Sequence, residues 1–195
     1  MMKKLLVSFL IGMAVMTLLP TNASAQSSSA DDVDTKYAVD LPKAGTEAPD
    51  FQLQTIDGKT IKLSQYRGQY CVLDFWASWC GDCRKDMPEM KRIYDRFSKQ
   101  GVQFVGISFD TRKESWQNAI EKYGISYPQV SELKNMRDAS ITKAYGIHWI
   151  PSYVLVGPDG KVCLSTVLTW KLEKKLEEVF PGIKVPDTAD IPELR

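Results

Sequence analysis

The 195-residue sequence predicts an α/β domain: a mixed central sheet flanked by helices, with an N-terminal β-hairpin and an inserted βα segment. Three observations carry this. Two unbroken apolar runs, residues 70–76 and 102–109, have the length and composition of strands buried on both faces. Helical periodicity follows each of them, which implies crossovers and parallel pairing. The turn signals Asp57-Gly58 and Pro158-Asp159-Gly160 place hairpins near the two ends, which implies antiparallel edges.

In chain order, Phe51-Gln52-Leu53 and Thr60-Ile61-Lys62-Leu63 flank the first turn and form the first hairpin. Tyr70 to Trp76 is the first buried strand. Residues 81–99 form a helix, with Met87, Met90, Ile93, Tyr94 and Phe97 at helical spacing. Val102 to Phe109 is the second buried strand. Residues 113–123 form a helix that stops at Gly124. The segment 125–147 predicts a short strand near 127–130 and a helix near 137–145. Residues 152–156 and 161–165 surround the second turn, and residues 170–180 close the domain as an amphipathic helix.

The N-terminus has the form of a secretory signal: Lys3-Lys4, an apolar run from Leu5 to Leu19, and the small residues Ala23-Ser24-Ala25, which predict a cut after Ala25 and export to the periplasm. The predicted organisation is a signal peptide over 1–25, a flexible polar leader over 26–46, a domain over 47–182 and an irregular tail over 183–195. Removing 25 of 195 residues leaves 170, enough for one real core. It also takes away two Lys and no acid, leaving 23 Lys+Arg against 24 Asp+Glu. A balance this close to neutral offers no electrostatic basis for nucleic acid as a partner.

Four cysteines, Cys71, Cys80, Cys83 and Cys163, are few for a disulfide-stapled scaffold, so chemistry is expected of some of them. Cys80-Gly81-Asp82-Cys83 opens the predicted helix directly after a buried strand. Residues i and i+3 share a helix face, so the two sulfurs can reach bonding distance as a Cys80–Cys83 disulfide. Free N–H groups and the positive end of the helix dipole favour a thiolate there. Cys80 is then the attacking thiol and the more exposed one, and Cys83 resolves the mixed disulfide. By itself a C-x-x-C is also half of a zinc site or an inert disulfide. Zinc needs three or four ligands, whereas the sequence has one His, His148, and no second C-x-x-C; no metal is expected. An inert disulfide over so short a loop would contribute little chain entropy.

The stretch from Val72 through Trp76-Ala77-Ser78-Trp79-Cys80-Gly81-Asp82-Cys83 resembles the active-site segment of thioredoxins. Pro88 matches that family's helix-kinking proline, and Ile150-Pro151 matches the loop whose cis-proline faces the cysteine pair. Gly45 to Phe51, the hairpin and the insertion near 112–147 resemble the exported TlpA/ResA-like branch. Across residues 45–180 the resemblance implies a thioredoxin-like fold and thiol–disulfide oxidoreductase activity, without a cofactor. The implied partners are cysteine-containing exported proteins and a membrane electron donor. It further implies a substrate face made of Trp79, Gly81, Asp82, Trp149, Ile150 and Pro151, with a cis bond before Pro151. Two acids are candidates for moving a proton at the resolving thiol. Asp74 stands six residues before Cys80 and is favoured, because a charge in an apolar strand needs a reason. Asp86 stands one turn after Cys83, where relatives carry Glu, and reads equally as a solvated helix residue. Asp82 replaces a common Pro; a carboxylate beside the pair disfavours thiolate and makes the dithiol a better reductant, unless it points to solvent. His148 reads as a surface residue.

In the implied strand order, Cys71 and Cys163 lie two strands apart, about 9.5 Å, beyond the reach of a disulfide; both are expected to be buried, unpaired thiols. The leading function is reduction of protein disulfides, with oxidase or isomerase action as its rival in the same chemistry. Ala48-Pro49-Asp50-Phe51 also resembles the opening of peroxiredoxins, but Ala77 stands where those peroxidases need Thr or Ser. A metallochaperone-type binding module would resemble C-x-x-x-C with a distant His, which the sequence lacks.

Overall fold

The computed structural model of the chain describes residues 33–182; the signal peptide and tail read from the sequence lie outside them. Among the described residues the order is β1 (Gln52–Thr55), β2 (Thr60–Lys62), β3 (Cys71–Trp76), α1 (Gly81–Phe97), β4 (Gln103–Ser108), α2 (Lys113–Tyr123), β5 (Gln129–Ser131), α3 (Ser140–Tyr145), β6 (Ser152–Val156), β7 (Val162–Thr166) and α4 (Thr169–Val179). The strands form one sheet in the order β2-β1-β5-β4-β3-β6-β7. β3, β4 and β5 pair in parallel, and the remaining pairings are antiparallel. This is the mixed sheet with antiparallel edges that the turn signals predict.

All six residues of β3 are buried, as its unbroken apolar run requires. Val72 faces a layer of Met90, Ile93 and Phe97 from α1 and Leu172 and Leu176 from α4. Leu73 and Phe75 face the opposite layer, with Trp116 from α2 and Ile141 and Tyr145 from α3. α4 is also held on α1 by charge. Arg96, whose side chain is buried, pairs with Glu173 and Glu177, each at 2.7 Å. Arg92 pairs with Glu89 and Glu173.

Two elements of the insertion begin later than expected. Pro128 has no N–H to donate, so it stands just ahead of β5 and contributes its carbonyl to Gly106 N–H at 2.9 Å. Asn135 Oδ1 accepts from Arg137 N–H and Asp138 N–H, making a side-chain-stabilised turn that delays α3 to Ser140.

The larger correction concerns the leader. Residues 33–46 are packed on the domain, beginning with a helical stretch over 33–37. The Asp34 carboxylate accepts from Thr166 Oγ1 and Val167 N–H at 2.9 and 3.0 Å and pairs with Lys171 Nζ at 2.9 Å. Leu41 belongs to the core and is 4% exposed. Gly146 has φ +61°, and a Cβ there would fall 2.0 Å from the Asp40 carbonyl oxygen, so the leader seats directly on the backbone after α3. Low apolar content suggested a segment unable to offset its ordering entropy. Here specific polar partners and one deeply placed leucine supply what bulk composition does not register. Leu41→Ala is expected to lower the unfolding free energy by about 2–5 kcal/mol in urea denaturation, as for other core leucines. A loosely attached leader would instead keep the change within about 0.5 kcal/mol.

Candidate active site

The C-terminal ends of β3 and β4 lie side by side, with Trp76 opposite Ser108. The chain leaves β3 through Ala77-Ser78-Trp79 and enters α1 at Gly81. Cys80 N–H bonds to Ala77 O at 3.1 Å, closing a tight turn. Cys80 itself is the extended residue that caps α1, and its Sγ accepts from Cys83 N–H at 3.0 Å. A sulfur thus occupies the capping position where a hydroxyl or carboxylate oxygen usually sits, within the field of the helix N-terminus. The two cysteines are joined as a disulfide with their Cα atoms 5.3 Å apart. Cys80 is 7% exposed and Cys83 1%, so Cys80 is the more accessible sulfur.

Antiparallel pairing of β6 with β3 brings the loop before β6 against this turn. The Ile150–Pro151 bond is cis, and Cys80 Sγ lies 3.5 Å from Ile150 O, where a thiol would donate. Trp79, next to Cys80 in the chain, and Trp149, next to Ile150, are both exposed. Trp149 packs against Tyr37 from the leader, with ring centroids 4.3 Å apart and the planes tilted by 34°. Gly81 starts the helix in open space, where a Cβ would meet only the Arg84 guanidinium at 3.8 Å. The Asp82 carboxylate points outward to Lys85 at 2.8 Å. This cation offsets the charge that the sequence suggested would bear on the thiols. Pro88 lies inside α1. His148 is at the surface, 3.2 Å from Asp40.

Both candidate acids lie between the sheet and α1. Asp74 is buried and accepts from Tyr127 Oη at 2.6 Å. Burial pushes its carboxyl up to about 7; the tyrosine bond opposes this, and the nearby Asp86 adds to it. Asp86 is half-buried, not fully solvated. Tyr153 Oη donates to it at 3.0 Å, and its carboxyl too is raised, mainly by burial. Tyr153 stands directly opposite Asp74 in the β3–β6 register. The same rung continues through Gly106 to Gln129. Gly106 leaves the space the Gln129 side chain fills, since a Cβ would lie 2.2 Å from that amide. Gln129 in turn accepts from Trp76 Nε1 at 2.8 Å. Tyr127 and Tyr153 did not emerge from the sequence, where each reads as one more strand aromatic; only the register reveals that their hydroxyls meet acids.

Cys71 is buried and unpaired, and burial pushes its thiol up to about 12. Cys163 is unpaired but only half-buried, which corrects the expectation. It lies on β7, the last strand of the sheet, whose outer edge is bonded, among the described residues, only by the leader, through Gly45 N–H and Thr46 O at Val162 and through the Pro42 carbonyl, which accepts from Ser165 Oγ.

Residues 44–165 match the model of the AhpC/TSA family. The chain belongs to this family. Within it, the chain is 35% identical over 145 residues to the thiol-disulfide oxidoreductase ResA of Bacillus subtilis, covering 74% of this chain and 78% of the relative. A thiol-disulfide oxidoreductase structure from Bacteroides fragilis superposes with a TM-score of 0.65 at 31% identity, over 69% of this chain and 99% of that one. A thiol:disulfide interchange protein from a Bacteroides species gives a TM-score of 0.65 at 28% identity, over 76% and 97% of the two chains. This AhpC/TSA member is therefore a thiol–disulfide oxidoreductase on a thioredoxin-like fold. Among its described residues no helix is long and apolar enough to cross a membrane.

Proposed function

We propose that the chain is an exported reductase of protein disulfides, working by dithiol–disulfide exchange through Cys80 and Cys83. The observation that carries the exchange chemistry is the placement of Cys80 Sγ as the cap of α1, receiving Cys83 N–H at 3.0 Å beside the cis-Pro151 loop. In the reduced chain the Cys80 thiolate attacks one sulfur of a partner disulfide. That S–S bond breaks, the partner's departing sulfur takes a proton, and a mixed disulfide remains. Cys83 then loses its proton and attacks Cys80 Sγ, releasing the partner's second thiolate. The partner has gained two electrons, and this chain ends as the Cys80–Cys83 disulfide. No cofactor takes part, because the two sulfurs hold the electrons.

Asp74 is the proposed acceptor of the Cys83 proton. Its carboxyl, pushed up to about 7, is matched to a proton that must move near neutral pH. Asp86, on the same α1 face one turn beyond Cys83, is the second group in that proton path. Trp79, Gly81, Asp82, Trp149, Ile150 and Pro151 form the substrate face, where a partner's extended backbone lies along the Ile150–Pro151 loop. The partners are cysteine-containing exported proteins, and a membrane-held dithiol restores the reduced form. Export rests on the basic, apolar and small-residue succession ending at Ala25. The exported chain would carry its folded domain through residue 182, with residues 183–195 as a tail.

The direction of exchange is tested by its resting state. Acid quenching of cells, followed by thiol alkylation, should find the chain largely as the dithiol, and the reduced chain should reduce insulin stoichiometrically. A resting disulfide, with insulin left intact, would assign the chain to disulfide formation instead.

A further inference from the structure

Among the described residues, the proposed exchange leaves one buried carboxylate unused. Asp110 is 1% exposed and follows β4 by two residues, as Ser78 follows β3. Its Oδ2 accepts from Ser78 N–H at 2.9 Å and from Ser108 Oγ at 2.7 Å, and its Oδ1 accepts from Ser78 Oγ at 2.5 Å. Asp110 N–H bonds back to Ser108 Oγ at 3.0 Å. Phe109 N–H bonds to Trp76 O at 3.0 Å, and Ser131 Oγ donates to Ser108 O at 2.8 Å. The carboxylate therefore ties the turn after β3 to the end of β4, which Ser131 holds to β5 in turn, and two of its three accepted bonds come from one residue of the active-site turn.

We propose that Asp110 is a positioning residue for the attacking thiol, clamping Ser78 and through it the turn that carries Cys80. The turn is short. Ser78 stands two residues before Cys80, and Cys80 N–H closes it on Ala77 O. One end of the turn is anchored by α1 and the other by Asp110. Both contacts of Cys80 Sγ, 3.0 Å to Cys83 N–H and 3.5 Å to Ile150 O, depend on where that turn sits. A hydroxyl at 78 alone would leave the backbone N–H to water. A carboxylate meets the hydroxyl and the N–H together and withstands burial because every accepted bond is charge-assisted. Released from the clamp, the turn moves Cys80 out of register with the N–H groups that stabilise its thiolate. A displacement of this kind costs rate well before it costs fold.

The inference rests on Cys80 being the attacking thiol, so the first measurement maps the adduct formed by limiting iodoacetamide on the reduced wild-type chain. Labelling at Cys83 would overturn that reading. With labelling at Cys80, the alkylation rate is followed against pH for Ser78→Ala, Asp110→Ala, Asp110→Asn and the double variant Ser78→Ala/Asp110→Ala, with urea denaturation alongside. Asp110→Ala should attack a disulfide probe about tenfold more slowly at neutral pH, with its thiolate profile displaced to higher pH. Ser78→Ala should move both readouts in the same direction, by less. Asp110→Asn, which keeps an acceptor for Ser78 N–H, should recover most of the rate. The double variant should be no slower than Asp110→Ala alone, because the two residues act as one unit. Wild-type pH profiles in Ser78→Ala and Asp110→Ala, or losses that multiply in the double variant, overturn the inference. Should Asp110→Ala not fold, a wild-type profile in Ser78→Ala is sufficient to overturn it.

Discussion

Replacing Cys83 by Ser is expected to leave the chain covalently attached to its substrates. Attack by Cys80 still forms the mixed disulfide, but the intramolecular exit is gone. Well-oriented intramolecular groups act at effective concentrations that reach about 10⁵ M or more, far above any free thiol. The trapped complexes should therefore decay orders of magnitude more slowly than in wild type. They should survive non-reducing electrophoresis and yield, by mass spectrometry, a small set of exported cysteine-bearing proteins. Cys80→Ser should trap nothing and should lose insulin reduction by more than about a thousandfold, since the buried Cys83 does not reach a partner disulfide. If Cys80→Ser traps partners and Cys83→Ser does not, the roles are reversed. If neither traps anything and both retain activity, the pair is structural.

Asp74→Asn should produce the largest change in pH dependence. The ordinary carboxyl value is 3.8, and burial pushes Asp74 up to about 7 in the folded chain. Between these values the folded state holds a proton that the unfolded chain has released. Stability therefore falls as pH rises from about 4 to about 7 and levels off above. Three pH units at 1.36 kcal/mol each make this penalty on the order of 4 kcal/mol. An amide keeps an acceptor for Tyr127 Oη and never ionises. Urea denaturation should find the variant more stable than wild type by only about 1 kcal/mol at pH 4.5 and by up to about 4 kcal/mol at pH 8.5. Equal differences at both values would show that Asp74 is not raised. In the same variant, release of the mixed disulfide should lose the part of its rate that rises through about pH 7, because no carboxylate remains to accept the Cys83 proton. Release kinetics that keep this rise would pass the proton role to Asp86.

The C-x-x-C was legible because its signal is local: a buried strand, two residues with sulfur at i and i+3, and a helix. The cis-proline loop was legible only through resemblance. Cys80 and Ile150 are 70 positions apart and meet because β6 pairs antiparallel with β3. The clamp on Ser78 was not legible. Asp110 looks like any polar residue ending an apolar strand, and nothing in a linear pattern says that the loops after β3 and β4 finish side by side. Cys163 was misplaced for a similar reason, since a strand's apolar pattern does not state whether it will lie inside the sheet or at its end.

The sequence by itself determined the elements and the chemistry of the pair. Unbroken apolar runs made strands buried on both faces, Gly124 ended a helix where no side chain easily turns left-handed, and the spacing of Cys80 and Cys83 permitted a disulfide. These follow from short-range sterics and periodic burial, which act within a few residues of where they are written. The tertiary structure alone decided which acid is buried, which tyrosine meets it, that Asp110 grips Ser78, and that the leader packs through Asp34 and Leu41. Each of these depends on desolvation and on partners far away in the chain. A carboxylate's behaviour is set by the groups that replace its water, and only the folded register determines which groups those are.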